Sequence, residues 1–374
     1  MKLEVNRLEM LAAAKNAARV APHRSPVDVL NGILVESNDD TGEVFLTATN
    51  HEVSIQQKVK ASVMESGAML VNARLLVNMM DLLEGDYVTL SSARPEILSV
   101  KGGSCRYQIN CLSAKSYPKP VMPFPEETAR ITGICSLARR TVFAVSADEH
   151  KPALQCVQVR LKNNAVLAAA CDGIKVMLLK DDAYSPDDRE FLLPGRSLQL
   201  LASICKDTDE FEVGDVGNEV VFARNDMLFT MRKLLAGEYI DTNAIMKGIK
   251  PAYSAVTNAD EMREALNVVA IGADRTPVNL IFSSGQIMLR RDTDYSQAQT
   301  AVSASVLKDT PKNGFFYEIN SLVKLSQVIN GRIKLEIDAK GFMIIKTKNE
   351  VYLQLPMRVP AQKAVETDKM KQAA

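Results

Sequence analysis

Tryptophan is absent from the 374 residues, histidine occurs three times, and aromatic residues of all kinds make up 5%. The shortage of histidine excludes most, because His23, His51 and His150 are scattered without the spacing of metal ligands. The six cysteines (Cys105, Cys111, Cys135, Cys156, Cys171, Cys205) include no CxxC pair and lie inside apolar patterns. They are expected to be reduced core residues behaving as small hydrophobes. Charge of one sign is also missing: 45 Lys plus Arg balance 45 Asp plus Glu, so no bulk basic excess draws the chain onto phosphate or an anionic membrane. No apolar run approaches the roughly 18 residues of a membrane span. The opening MKLEVNRLEM has no basic stretch followed by a greasy one. The expectation is a cytoplasmic protein with no membrane partner. Catalytic signatures are lacking as well: there is no Gly-rich phosphate loop, GxSxG, HExxH or plausible Ser/His/Asp set. The neighbouring carboxylates Glu84 and Asp86, and Asp181 and Asp182, fall in polar turns where solvation accounts for them. Neither catalysis, nor a cofactor, nor a metal is expected.

What is present is the balance of a chain with normal cores, 47% hydrophobic and 24% charged, in a length that suits two or three domains. The dominant pattern is a repeat. Leu76, Met79 and Leu83 reappear 122 residues on as Leu198, Leu201 and Cys205, and a further 124 residues on as Leu322, Leu325 and Ile329. Each triple runs i, i+3, i+7, which places one apolar stripe on a short helix and leaves Arg74, Arg196 or Lys324 towards the other side. A short strand precedes each helix (MLVNAR, FLLPGR, FYEINS), and alternating strands joined by tight turns follow it, such as Ile333, Leu335 and Ile337 before the turn 338–341. The other half of each unit is alike, since helical patterns at 6–20, 135–147 and 260–271 are each followed by two strands, beginning in DVLNGILVES, PALQCVQVRL and PVNLIFSS. Each third therefore reads helix, strands, helix, strands, a duplicated half-unit in an α+β fold. Boundaries fall in the Pro-bearing stretches SYPKPVMPFPEE and MKGIKPAYS. These give units 1–122, 123–250 and 251–360, followed by a polar tail, 361–374, expected to be mobile.

The opening MKLEVNRLEML, the segments ATNHEVSIQ, AACDGIKVML and LLAGEYIDTNAIM, and the closing VYLQLPMRV, in this order and spacing within a threefold repeat, resemble the bacterial DNA polymerase III beta subunit, the sliding clamp family. The resemblance covers residues 1 to about 359. It implies three tandem clamp domains per chain and a head-to-tail homodimer forming a six-domain ring, with helices inside and sheets outside. It further implies a non-catalytic processivity factor that encircles duplex DNA without reading its sequence. Its partners would be the replicative DNA polymerase, the clamp loader and other proteins carrying clamp-binding peptides. Phosphate-facing candidates are Lys15, Arg19, Arg24, Arg74, His150, Lys151 and Arg196, with Arg139, Arg140 and Lys324 beside them. The helix at 260–271 instead carries Asp260, Glu261 and Glu264 around a single Arg263. The partner groove implied by the family maps onto Leu154, Cys171, Gly173, Ile174, Lys175, Val176, Ile240, Ile245, Leu353, Leu355, Pro356, Met357, Arg358 and Val359. The chain departs from the family pattern here: Cys171-Asp172-Gly173-Ile174-Lys175-Val176 stands where Thr-Asp-Gly-His-Arg-Leu is common. Likewise Tyr239-Ile240-Asp241-Thr242 replaces Phe-Pro-Asp-Tyr. That divergence keeps open an alternative, a clamp-like scaffold or duplicate clamp with altered partners.

Overall fold

The computed structural model describes residues 1–358 except Pro95, Asn163, 183–187, 235–237, Asp274, Arg275 and Asp294. Val359 and the tail expected over 361–374 lie outside the described residues.

Asparagine side chains start three of the helices. Asn6 accepts from the Leu8 and Glu9 amides at the head of α1 (Arg7–Val20), Asn72 from Leu75 at α2 (Ala73–Leu82), and Asn258 from Asp260 at α6 (Ala259–Ala270). Between them lie α3 (Ile134–Thr141), α4 (Gly195–Ile204) and α5 (Thr242–Lys247), and α7 (Ile319–Ser326) follows, capped by Glu318. The expected apolar triples are where the repeat puts them: Leu76, Met79, Leu198, Leu201, Leu322 and Leu325 are buried on α2, α4 and α7. The last member of each triple, Leu83, Cys205 or Ile329, lies at or just beyond the helix end. The helix expected over 135–147 is shorter, since α3 ends at Thr141 and only a 3-10 turn, Val142–Ala144, continues it. The expected polar turn holding Asp181 and Asp182 is instead the end of a strand, Lys175–Asp182.

The chain forms two compact units that do not coincide with the thirds of the sequence. The first comprises Met1–Ala138, Arg160–Ala165 and Ala183–Leu235; the second comprises Arg139–Val159, Val166–Asp182 and Ala236–Ala374. In the first unit one sheet runs Cys105–Asn110, Ile97–Gly102, Tyr87–Arg94, Lys2–Asn6, Val53–Glu65, Met227–Arg232, Glu219–Arg224, Glu210–Val216 and Ala129–Thr132. Strands Gly32–Asn38, Glu43–Thr49 and Gly67–Asn72 join it beside Val53–Glu65. Helix α1 packs on α2, on α4 and on strands Glu43–Thr49 and Val53–Glu65. In the second unit, Ala165–Cys171, Lys175–Asp182, Glu350–Gln354, Met343–Lys346, Arg332–Asp338, Pro251–Asn258 and Ser305–Lys308 follow in order. A separate four-stranded sheet runs Gln297–Ser303, Gln286–Asp292, Val278–Ser283 and Phe315–Tyr317, with α6 against its first two strands.

Each unit thereby contains one junction between successive thirds, and the two junctions are built alike. In the first, Met227–Arg232 pairs antiparallel with Val53–Glu65, Phe229 opposite Ile55. In the second, Glu350–Gln354 pairs antiparallel with Lys175–Asp182, Leu353 opposite Val176. The last strand of one third adds to the fourth strand of the preceding third. Main-chain pairing with buried residues directly opposite supplies both hydrogen bonds and packing, and a slip of one residue would turn every buried side chain outward.

Candidate functional site

Two places in the described structure have the chemistry the sequence reading asked for: a basic helical surface in the first unit and an apolar groove in the second.

Five of the candidate cations, Lys15, Arg19, Arg24, Arg74 and Arg196, belong to the first unit and are exposed. Lys15 and Arg19 sit one turn apart on α1, Arg74 on α2 and Arg196 on α4, so the helix layer brings them to one side of the sheet. Lys15 also meets Asp81 at 3.0 Å, an exposed pair that screening makes weak. His150 and Lys151 are exposed in the second unit, beside Asp148. Arg140 is a correction. Its guanidinium contacts the Asp181 carboxylate through both terminal nitrogens and reaches Glu350 Oε1 at 3.0 Å, with its side chain only 16% exposed. It is a structural pin and not a phosphate contact. Burial works against its charge, but the two carboxylates outweigh that and raise its pKa above the ordinary value. Arg263 is likewise turned inward: Nε donates to the Ser326 carbonyl at 2.6 Å and Nη2 to the Ile329 carbonyl at 2.9 Å, closing the end of α7. Arg7 does the same for α2, donating to the Met80 and Gly85 carbonyls. The exposed residues in the first half of α6 are therefore Asp260, Glu261 and Glu264.

The groove is a cavity of about 310 Å³, at the small end of the ~300–1,000 Å³ typical of ligand pockets. Nine of the expected residues line it: Cys171, Gly173, Ile174, Lys175, Val176, Ile240, Ile245, Leu353 and Leu355. Leu154 packs against the buried cluster of Cys171, Val176, Ile344 and Leu353 without lining the cavity. Pro356, Met357 and Arg358 continue the chain past Leu355 and do not line it either. Gly248, Ile249 and Phe342 complete the wall and were missed. The signal for two of them lay in α5, a short helix that the threefold pattern does not contain. Asp241 caps it by accepting from the Asn243 and Ala244 amides, and its end presents Gly248 and Ile249. The wall is fixed from several sides. The Tyr239 hydroxyl donates to the Ala169 carbonyl at 3.1 Å and so holds Ile240 at the rim. The Leu355 amide donates to the Ile174 carbonyl at 2.9 Å and the Met357 amide to Phe316 at 2.7 Å. Gly173, at φ +95°, makes the turn between the two strands of the floor, a conformation that favours glycine. Burial pushes the Cys171 thiol up, so it stays a protonated hydrophobe in the floor.

Among the described residues no group of three His, Cys, Asp or Glu could hold a metal ion, and no helix is long and apolar enough to cross a membrane.

The family model for the DNA polymerase III beta subunit N-terminal domain matches residues 1–123, and that for its central domain matches 132–241. The chain belongs to the DNA polymerase III beta subunit family. The beta sliding clamp of Streptomyces coelicolor is 26% identical to it over 321 residues, covering 83% of this chain and 84% of that one. The beta sliding clamp of Chlamydia muridarum is 24% identical and covers 96% of this chain and 99% of its own. In fold, the beta-subunit chain is similar to the crystal structure of the sliding clamp from Bacillus subtilis, with a TM-score of 0.85 at 20% identity, covering 96% of this chain and all of that one.

Proposed function

We propose that this beta subunit acts as a sliding clamp by joining head to tail with a second copy into a six-part ring around duplex DNA, tethering DNA polymerase and other factors through the groove. The observation that carries the reading is the pair of open edges. Among the described residues, Cys105–Asn110 pairs within its sheet only with Ile97–Gly102, and Gln297–Ser303 only with Gln286–Asp292. These are the last strand of the first third and the fourth strand of the last third, the same two strand types that join at both internal junctions. A third junction made by the same rule needs a second chain, and two chains close the series of junctions.

In this reading the third junction takes the register of the two internal ones. Carrying the pairings Thr230 to Ser54 and Leu353 to Val176 along the repeat sets Tyr107 opposite Ala298, Gln108 opposite Gln297 and Arg106 opposite Gln299. The hydrogen-bond phase agrees. The Cys111 amide donates to Glu96 and the Ala304 amide to Gly285, so alternate residues turn to their own sheets and leave Gln108 and Gln299 facing outward. Light scattering should give about twice the 41.1 kDa chain mass.

Retention then follows from enclosure. A ring cannot leave duplex DNA sideways, so a tethered polymerase that lets go rebinds at high local concentration. A firm phosphate grip would oppose sliding, and a zero net charge with a moderate basic layer suits loose contact. Protein loaded on a closed DNA circle should persist through gel filtration and be lost within seconds to minutes once the circle is cut once. Equal loss from cut and uncut DNA would refute encirclement.

A further inference from the structure

We propose that Cys135 and Cys205 form a reversible disulfide site in the first unit, oxidised by low-molecular-weight disulfides, with Cys205 as the entry thiol and Cys135 as the resolving one. Cys135 is the second residue of α3, and Cys205 is the residue just after α4. Their thiols share a hydrogen bond. Backbone contacts anchor both segments: Gly133 N donates to the Asp207 carbonyl at 3.2 Å, Thr132 pairs with Glu210, and Cys205 N donates to the Leu201 carbonyl at 3.1 Å. Two sulfurs already in contact on anchored backbone need only side-chain rotation to reach the ~2.05 Å of an S–S bond. The other cysteines are engaged differently. Cys111 Sγ meets the Ile109 carbonyl at 4.0 Å and Cys156 Sγ the Pro152 carbonyl at 3.5 Å, Cys171 Sγ accepts the Gly173 amide at 3.3 Å, and Cys105 lies on the open edge strand.

The repeat shows which sulfur can be reached. Cys205 ends the apolar triple whose counterparts, Leu83 and Ile329, are buried, yet Cys205 itself is half-buried, while Cys135 is fully enclosed. An oxidant therefore meets Cys205 first. The Cys205 sulfur attacks one sulfur of the small disulfide, which gives a mixed disulfide and releases one small thiol. Cys135 then attacks the Cys205 sulfur and displaces the second small thiol. Two protein thiols lose their hydrogens, and the same two electrons reduce the small disulfide to two thiols. The hydrogen bond with Cys135, burial and the nearby Asp209 hold the Cys205 pKa well above the ordinary thiol value. Arg224 pulls the other way, but its guanidinium is itself paired with Asp209 and Asp226. Thiolate is the attacking species, so the pair stays open at low oxidant and closes slowly as small disulfides accumulate. Closure ties the start of α3 to the end of α4 across a long loop, which constrains the unfolded chain.

The test treats the full, folded, reduced chain with oxidised glutathione and maps the linked peptides by mass spectrometry without reduction. Cys135 should be found joined to Cys205 within one chain, and dithiothreitol should open the link. Its initial rate of formation should rise about 10-fold per pH unit between roughly pH 7 and 9, because the attacking thiol stays protonated throughout that range. Cys135→Ala should stop at a glutathione adduct on Cys205, and Cys205→Ser should leave Cys135 unmodified. The thermal midpoint of the first unit should lie about 5 °C or more higher in the oxidised protein than in the reduced one, a gap that Cys205→Ser abolishes. Absence of the link after prolonged exposure, a link from either residue to another cysteine or to a second chain, or a rate that levels off within that pH range overturns the proposal. A midpoint unchanged or lowered by oxidation overturns it as well.

Discussion

Replacing Gln108 with proline should yield a folded monomer that no longer dimerises. The Gln108 amide faces the open edge of Cys105–Asn110 and not the neighbouring strand, because the Cys111 to Glu96 bond sets the phase of the ladder. Proline there removes no hydrogen bond inside the chain, yet it deletes a donor to the partner strand and puts a ring in its path, at about 3 kcal/mol or more. Since each 1.4 kcal/mol is tenfold and the ring carries the change at both of its junctions, the dimer should weaken on the order of 10,000-fold. Gln299→Pro, on the complementary edge, should act alike. Tyr107→Pro should behave differently, since its amide turns towards Ile97–Gly102 and its loss disturbs the sheet itself. Sedimentation equilibrium alongside circular dichroism separates these results. A Gln108→Pro protein that dimerises like the parent would place the junction elsewhere.

The second large effect is expected at Arg140. Its guanidinium joins α3 to the ends of two paired strands, through Asp181 on one and Glu350 on the other. Asn349 donates to Asp181 at 3.2 Å and the Thr347 hydroxyl contacts the Glu350 carboxylate, so every member is held twice. Arg140→Ala leaves two carboxylates facing each other with side chains 29% and 11% exposed. Breaking such a pair costs about 3–5 kcal/mol, mostly from the uncompensated charge. The transition of the second unit in urea should therefore move to lower denaturant while the first unit's stays put. The triple change Arg140→Met, Asp181→Asn, Glu350→Gln should cost far less, because no charge is left unpaired. Equal losses in the single and triple variants would mean that packing, not charge, is what Arg140 contributes. The pin also fixes the far end of the ladder whose near end forms the groove floor, where Val176 pairs with Leu353. Peptide affinity should fall together with stability in the single variant.

The threefold repeat was readable because burial on a helix and burial on a strand each have a fixed period, and three copies of the same periods reinforce one another. The triples at Leu76, Leu198 and Leu322 needed only that rule. Helix α5 escaped because it occurs once and is too short to show a period, although its cap, Asp241, was visible. Arg140 was misjudged, and the inward turn of Arg263 was not foreseen, for a different reason. Arginine is exposed by default, and neither periodicity nor spacing tells which guanidinium has carboxylates or carbonyls within reach across 41, 63 or 210 residues of chain. The groove was named largely through family resemblance. Its added wall, Gly248, Ile249 and Phe342, comes from segments about a hundred residues apart that meet only in the fold.

Sequence alone determined the number of repeats, the order of their elements and the core stripes, because each of these follows from local residue type and period. Only the tertiary structure decided which charges are free, which amides are spent and which strand edges are open. Those properties belong to pairs of groups distant in the chain, and a pair exists only once folding has brought both members together.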